Sequence, residues 1–312
     1  MDTTGAASPH EPNAARRRLS GHLAGAGVEV GPGPYPFRLL PPGVRVRYVD
    51  QQGPGVGSGR HAPTPQYVAP DIVADFNTDR LGALPDGSED FVIASHVLEH
   101  LAEPLGFIED MHRVLRPGGH ALILLPDRHR TEDRFRRPTP LQHLVAEFDT
   151  HVQDVSDDHV VEFLKDRGIP LRGTSEDRRS LLEWHKKQSI HVHCWDAVEF
   201  LPVLVWGIEH LGQRWEFVDG CLYEPPIHYE FGYLLRRAQH PEDAPAMAAR
   251  LTEDWTAWRD AQVARRPEVL RRGTGSHHLP RVVYRTTRRV LRNHRLVARV
   301  FQTLTGRRPG GR

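Results

Sequence analysis

Residues 90–127 read DFVIASHVLEHLAEPLGFIEDMHRVLRPGGHALILLPD. An apolar run at 90–95 gives way to a helical pattern, and a second apolar run follows at 120–125. Over 103–119, Leu105, Ile108, Met111, Val114 and Leu115 repeat at helical spacing, and Pro117-Gly118-Gly119 stops the helix. Neither run alternates apolar with polar, which is the pattern of parallel strands buried on both faces. Strand, helix and strand in this order predict an α/β fold built on a doubly wound, mostly parallel sheet.

Further strands are expected upstream at 27–30, 44–49 and 71–75. The links between them, 31–43 and 51–70, are rich in Pro and Gly and hold no long helix. Parallel strands normally need a helical crossover. One face of the sheet is therefore expected to be thinly covered, unless the N-terminal extension or the C-terminal tail lies on it. After 126 the chain is charged and helical in pattern to 189, which reads as an insertion. SIHVHCW (189–195) alternates like a strand. DAVEFLPVLVWGIEHLG follows as a helix, and RWEFVDGCLYE and IHYEFGYLLRRA close a seven-stranded sheet. The expected division is an N-terminal extension (1–26), a core (27–126), the helical insertion (127–189), the rest of the core (190–238) and a helical, arginine-rich tail (239–312).

The bulk numbers agree with one globular domain and attachments: 312 residues, 38% hydrophobic, formal charge +1. Cys194 and Cys221 alone make no disulfide framework, which suits a reducing compartment. No apolar run approaches the ~18 residues of a membrane span, and the N-terminus has no secretory h-region. A cytoplasmic protein is expected.

The turn after the first strand, VEVGPGPYPF (28–37), narrows the ligand. Glycines after a strand allow close backbone approach. Prolines at 32, 34 and 36 each remove an N–H donor, so the turn suits a phosphate poorly. Tyr35 and Pro36 stand where a dinucleotide site would place its third glycine and helix start.

In order along the chain come Glu29-x-Gly31-x-Gly33, Asp50 ending the second strand, Ala-Asp75-Phe76 ending the third, SHVLEHL after the fourth and LRPGG before the fifth. This set resembles the class I (Rossmann-like) S-adenosylmethionine (SAM)-dependent methyltransferases of the type 11 subgroup. The resemblance covers 27–127 well and 189–238 loosely. Pro126, Asp127, Thr131, Asp133 and Arg136 also agree with a Pro-Asp-Lys-Arg-Tyr-Thr-Phe-Asp segment of some members, whereas Glu132 replaces an aromatic. SAM carries a sulfonium, a ribose diol and an adenine, and no phosphate. Asp50, seventeen residues past Gly33, is placed to accept from both ribose hydroxyls. Asp75 is expected at the adenine amino group with Phe76 against the ring, and Glu29 near the methionine ammonium through water. Ser95 and His96, at the end of the fourth strand, are expected to face the cofactor.

Methyl transfer is an in-line displacement, and an oxygen or nitrogen acceptor calls for a base. His96 is the first candidate, Asp127 the second, and His191 and His193, two positions apart on one face of a strand, the third. The histidine pair with Asp127 or His129 makes only a weak metal pattern, and no metal is expected. Arginines 128, 130, 134, 136 and 137 suit an anionic acceptor, or else a loop paired with its own Glu132 and Asp133. The resemblance implies an acceptor in surface glycan or specialised small-molecule assembly, with the insertion acting as a lid. Two other readings are a dinucleotide-dependent oxidoreductase and a non-catalytic binding protein on the same fold.

The tail holds ten arginines and no acid between 281 and 312. Val283, Val290, Val297 and Leu304 recur every seven residues, opposite Arg281, Arg285, Arg288, Arg292, Arg295 and Arg299. An amphipathic helix is expected over 281–304, suited to an anionic membrane surface or to docking on its own domain. Nucleic acid ranks lower, because no aromatic interleaving accompanies the basic residues.

Overall fold

The computed structural model describes residues 13–51, 68–188, 190–222, 229–240 and 242–265. The elements run α1 (Ala14–Ser20), β1 (Ala26–Val30), β2 (Arg45–Asp50), β3 (Ile72–Val73), β4 (Glu89–Ser95), α2 (Pro104–Val114), β5 (Leu115–Pro126), α3 (Leu141–Asp149), α4 (Asp157–Asp166), α5 (Ser175–Lys186), α6 (Ala197–Leu211), β6 (Trp215–Cys221), β7 (Glu230–Arg237) and α7 (Ala244–Arg265). The seven strands form one sheet in the order β3-β2-β1-β4-β5-β7-β6. β1 to β5 are parallel, and β7 enters antiparallel between β5 and β6. This is the doubly wound, mostly parallel α/β sheet expected from the sequence.

Register aligns the carboxyl ends. Val30 pairs with Val49 and with Ala94, and Ser95 pairs with Leu124, so β1, β2, β4 and β5 finish along one edge. The neighbours of β1 on its two sides arise from chain segments that diverge there, which opens the crevice where ligands of such sheets bind.

Successive side chains of β4 and β5 go to opposite faces. Val92, Ala94, Ala121, Ile123 and Leu125 join Phe107, Phe200, Leu204 and Trp255 in the main core, under α2, α6 and α7. Phe91, Ile93, Leu122 and Leu124 face the other way and meet Ala15, Leu19 and Leu23 of the N-terminal segment together with Phe37. The face expected to be thinly covered is thus covered by α1 and by the irregular link after β1. Leu19 and Leu23 are fully buried there, and full burial of such side chains contributes roughly 1.5–3 kcal/mol each.

Local chemistry sets the helix ends. Asp196 and Glu199 form a capping box at the start of α6, and Gly212, at φ 65°, ends it. Thr174 and Asp177 do the same at the start of α5. Three sequence expectations are corrected. The third strand is only Ile72–Val73 rather than 71–75. The helix over 103–119 ends at Val114, because Leu115 already pairs with Glu89 across to β4. The segment 190–195 is not a strand; it makes a single bridge, Trp195 with Asp127. Helices α3 to α5 occupy the insertion, with a small core of their own built on Val160, Phe163, Leu164, Leu181, Ile190 and Val192. The tail helix expected over 281–304 lies outside the described residues.

Candidate functional site

The turn after β1 is left-handed at Gly31 (φ 61°) and at Gly33 (φ 48°), a conformation that favours glycine at both positions. A Cβ on Gly31 would stand 2.8 Å from Val97 Cγ2, whereas one on Gly33 would project into open space. Each N–H of the turn is engaged. Gly31 N donates to Val49 O (2.8 Å) and Tyr35 N to Pro32 O (2.9 Å). Gly33 N donates to Asp50 Oδ2 (3.1 Å), and Phe37 N donates to both oxygens of Glu29 (2.8 and 3.0 Å). With prolines at the intervening positions, the turn presents no donor row to a phosphate. It presents open space over a glycine, beside a carboxylate.

Asp50 also accepts from Gln51 N at 2.7 Å, so its carboxylate is held at the tip of β2. Asp75 is exposed after β3, and its Oδ1 accepts from Asn77 N (2.8 Å) and Thr78 N (3.3 Å). These groups are acceptors standing along the carboxyl edge, a donor–acceptor set that fits a ribose diol and an adenine amino group.

Two cofactor expectations change. Glu29 is 1% exposed and binds the returning chain at Phe37, so it fastens the turn from beneath instead of facing a ligand ammonium. Burial pushes its carboxyl up to about 7, against the lowering effect of the Phe37 N–H. Phe76 is 5% exposed and packs edge-on to Phe107 (5.6 Å between centroids), forming part of the floor under Gly31. Ser95 stands half-buried at the end of β4.

His96 follows at φ 58°, an uncommon conformation for a side chain with a Cβ. Its Nε2 is 3.0 Å from Glu230 Oε2 at the start of β7, and its Nδ1 is 3.4 Å from Glu99 Oε1. Arg16 of α1 donates through Nε to Glu230 Oε1 at 2.7 Å. Burial works to lower the His96 imidazole, but the bonds to Glu230 and Glu99 outweigh it and raise it to about 9. At neutral pH His96 is an imidazolium clasped by two carboxylates, with no lone pair to take a proton. The first-ranked base is therefore corrected: His96 is a fixed cation.

Asp127 directly follows β5, where its Oδ1 accepts from His129 N at 2.8 Å. Burial raises its carboxyl to about 6. His193 is fully buried, and burial pushes it down to about 3. It is a neutral imidazole with no exposed surface, packed against α3 and α4 of the insertion, which argues against it as the base. Its neighbour His191 turns elsewhere, to Asp133, and the two histidines share no face.

The segment resembling Pro-Asp-Lys-Arg-Tyr-Thr-Phe-Asp is framework. Asp133 is buried with Arg136, whose guanidinium also donates to the carbonyls of His191 (2.8 Å) and Val192 (2.9 Å). Glu132, in place of an aromatic, pairs with Arg167, and that guanidinium lies over the Phe163 ring at 3.6 Å. Arg128 is bound to Glu199. Of the five loop arginines, 128 and 136 thus have internal partners. Sequence reasoning missed Glu230, Glu99 and Arg16 as partners of His96; Glu99 lies in the SHVLEHL segment, and Glu230 opens the closing strand.

The model of a family described as "Methyltransferase domain" matches residues 28–123. A curated protein of Mycolicibacterium smegmatis, named "Probable S-adenosylmethionine-dependent methyltransferase", is 33% identical over 91 residues, which are 29% of this chain and 32% of that protein. The chain thus spans about a third of the length of the curated relative it matches. Among solved structures, an S-adenosylmethionine dependent methyltransferase from Mesorhizobium loti is 14% identical with a TM-score of 0.41, covering 73% of this chain and 99% of that one. The trans-methyltransferase CalH in complex with SAH is 18% identical with a TM-score of 0.37, covering 71% and 53%. The stretch that matches the methyltransferase domain model runs from the middle of β1 into β5, the parallel part of the sheet.

Proposed function

We propose that the protein transfers a methyl group from SAM to an oxygen or nitrogen atom of a small molecule or glycan. The observation that carries this reading is the turn after β1, whose N–H groups are all engaged while Asp50 stands beside its open glycine. A dinucleotide would need those donors for its pyrophosphate. SAM supplies an electrophilic methyl on a sulfonium and asks the protein for acceptors. Asp50 would hold the ribose hydroxyls, Asp75 the adenine amino group, and the Gly31–Gly33 turn the close backbone approach.

Among the residues considered as a base, Asp127 has the suitable chemistry. A general base works best with a pKa near the operating pH, and Asp127 at about 6 is nearer than His96 at about 9 or His193 at about 3. Helices α3 to α5 follow β5 directly, which supports a role for the insertion in selecting the acceptor. Calorimetric titration of the full chain with SAM and with NAD⁺ separates the readings. SAM binding with none for NAD⁺ supports a methyltransferase, and the reverse overturns it. Transfer of labelled methyl from SAM into cell-envelope or small-molecule extracts then separates catalysis from binding alone.

A further inference from the structure

α3 carries His143 and Glu147 four residues apart, so both side chains lie on one face of the helix. α4 brings His159 to them, and the irregular segment before α6 brings His193. His143 Nε2 is 2.9 Å from His159 Nε2 and 3.0 Å from Glu147 Oε1. His159 Nε2 is 3.2 Å from Glu147 Oε1, and His193 Nε2 is 3.4 Å from Glu147 Oε2. Four donors around one ion, with bonds of about 2.0–2.1 Å, are separated by tetrahedron edges of about 3.3 Å. The four separations above, 2.9–3.4 Å, lie around that value, and one ligand atom from each of the four residues lies within 4.8 Å of the others.

A second observation points the same way. His193 is 0% exposed, yet neither of its ring nitrogens has a hydrogen-bond partner among the described residues. Buried polar atoms are rarely left so, and an unpaired imidazole aimed into a ring of ligand-type side chains points to a bound ion. His159 is oriented from behind: Ser156 Oγ lies 2.9 Å from its Nδ1, which turns Nε2 toward the cluster. Metal-binding histidines are typically braced through the second nitrogen in this way. Trp195 stacks on His193 at 5.6 Å and holds its ring plane.

We propose that His143, Glu147, His159 and His193 bind one divalent transition-metal ion, with zinc as the preferred ion. Three imidazoles and a carboxylate suit zinc, and four protein donors close its tetrahedron, as in structural sites. The ion clamps α3 and α4 of the insertion to the segment leading into α6. That segment also touches the cofactor end: Val192 N and His193 N donate to Glu99 O at 2.7 and 3.1 Å, and Glu99 is a partner of His96. The clamp therefore fixes the insertion against the histidine–carboxylate pair. It stands independently of the methyltransferase reading.

The test is metal analysis of the full, tag-free chain with a Co²⁺ titration alongside. About one zinc per chain is expected, together with the visible bands of tetrahedral Co²⁺. Chelation should lower the melting temperature by on the order of 5 °C, and added Zn²⁺ should restore it. His159→Ala and His193→Ala should lose the metal, with the risk that the insertion unfolds. His143→Asn is the control for that risk, because His143 is 45% exposed at the rim and the core should survive its loss. It should weaken Zn²⁺ binding by at least about tenfold with an unchanged circular dichroism spectrum. Absence of zinc from the purified chain with no tetrahedral Co²⁺ bands would overturn the proposal. Equal Zn²⁺ affinity of His143→Asn and the unaltered chain would overturn it as well.

Discussion

His96 Nε2 lies 3.0 Å from Glu230 Oε2, joining the end of β4 to the start of β7 across 134 residues of chain. The pair ties the parallel part of the sheet to its antiparallel edge at the cofactor end, and Arg16 extends the tie to α1.

Because the folded imidazole titrates near 9 rather than 6.5, its contribution to stability is complete below about pH 6.5 and fades as pH rises through 9. Denaturant melts at pH 6 and pH 10 should show His96→Gln to be less stable than the parent by on the order of 2 kcal/mol at pH 6. The difference should shrink at pH 10. An equal difference at both values would mean that His96 is neutral in the fold.

Glu29 has the opposite consequence for its own charge. Its folded carboxyl titrates near 7 against 4.5 unfolded, so the native state holds a proton that the unfolded state has released between those values. Stability assigned to Glu29 falls as pH rises from about 4.5 to 7. Glu29→Gln keeps an acceptor for Phe37 N without the buried charge. It should be more stable than the parent at pH 8 by roughly 1–3 kcal/mol, and close to it at pH 4.5. Chemical denaturation at both pH values checks this.

Asp50→Ala should weaken SAM binding at least about tenfold, since charge-assisted bonds to hydroxyls contribute ~1.5–3 kcal/mol each. Calorimetry measures it. The same substitution frees Gly33 N, so the melting temperature should drop by only a few degrees, in line with loss of one partly buried hydrogen bond.

Asp127→Asn should reduce methyl transfer by about 10²-fold or more and leave SAM affinity near that of the parent. In the parent, the rate should rise with pH and level off above about 6, where the carboxylate becomes ionised. A flat pH profile through that range would remove Asp127 as the base.

The arginine-rich stretch at 281–304 is expected to bring the full chain down with anionic vesicles but not with neutral ones. Each basic residue near such a surface adds ~1 kcal/mol. A chain ending at 278 should stay in the supernatant. Co-sedimentation at low salt decides it.

The parallel strands at the centre of the sheet, the glycine turn and the carboxylates at strand ends were legible in the order of residues, whereas the strand expected over 189–195 was not formed. They depend on periodicity and on neighbours a few positions away, which a linear chain displays directly. α1 as the cover of the second sheet face was legible only as one of two options, because docking depends on which surface remains bare. The chemistry of the candidate bases was not legible. His96 became a cation through Glu230, and His193 met Glu147 from 46 positions upstream. The sequence by itself determined the sheet, the turn and the acceptor groups that suit SAM. Tertiary structure decided which histidine is charged, which is buried and which four side chains converge. Protonation and metal affinity follow from burial and from partners a few ångströms away, and folding alone brings those partners together.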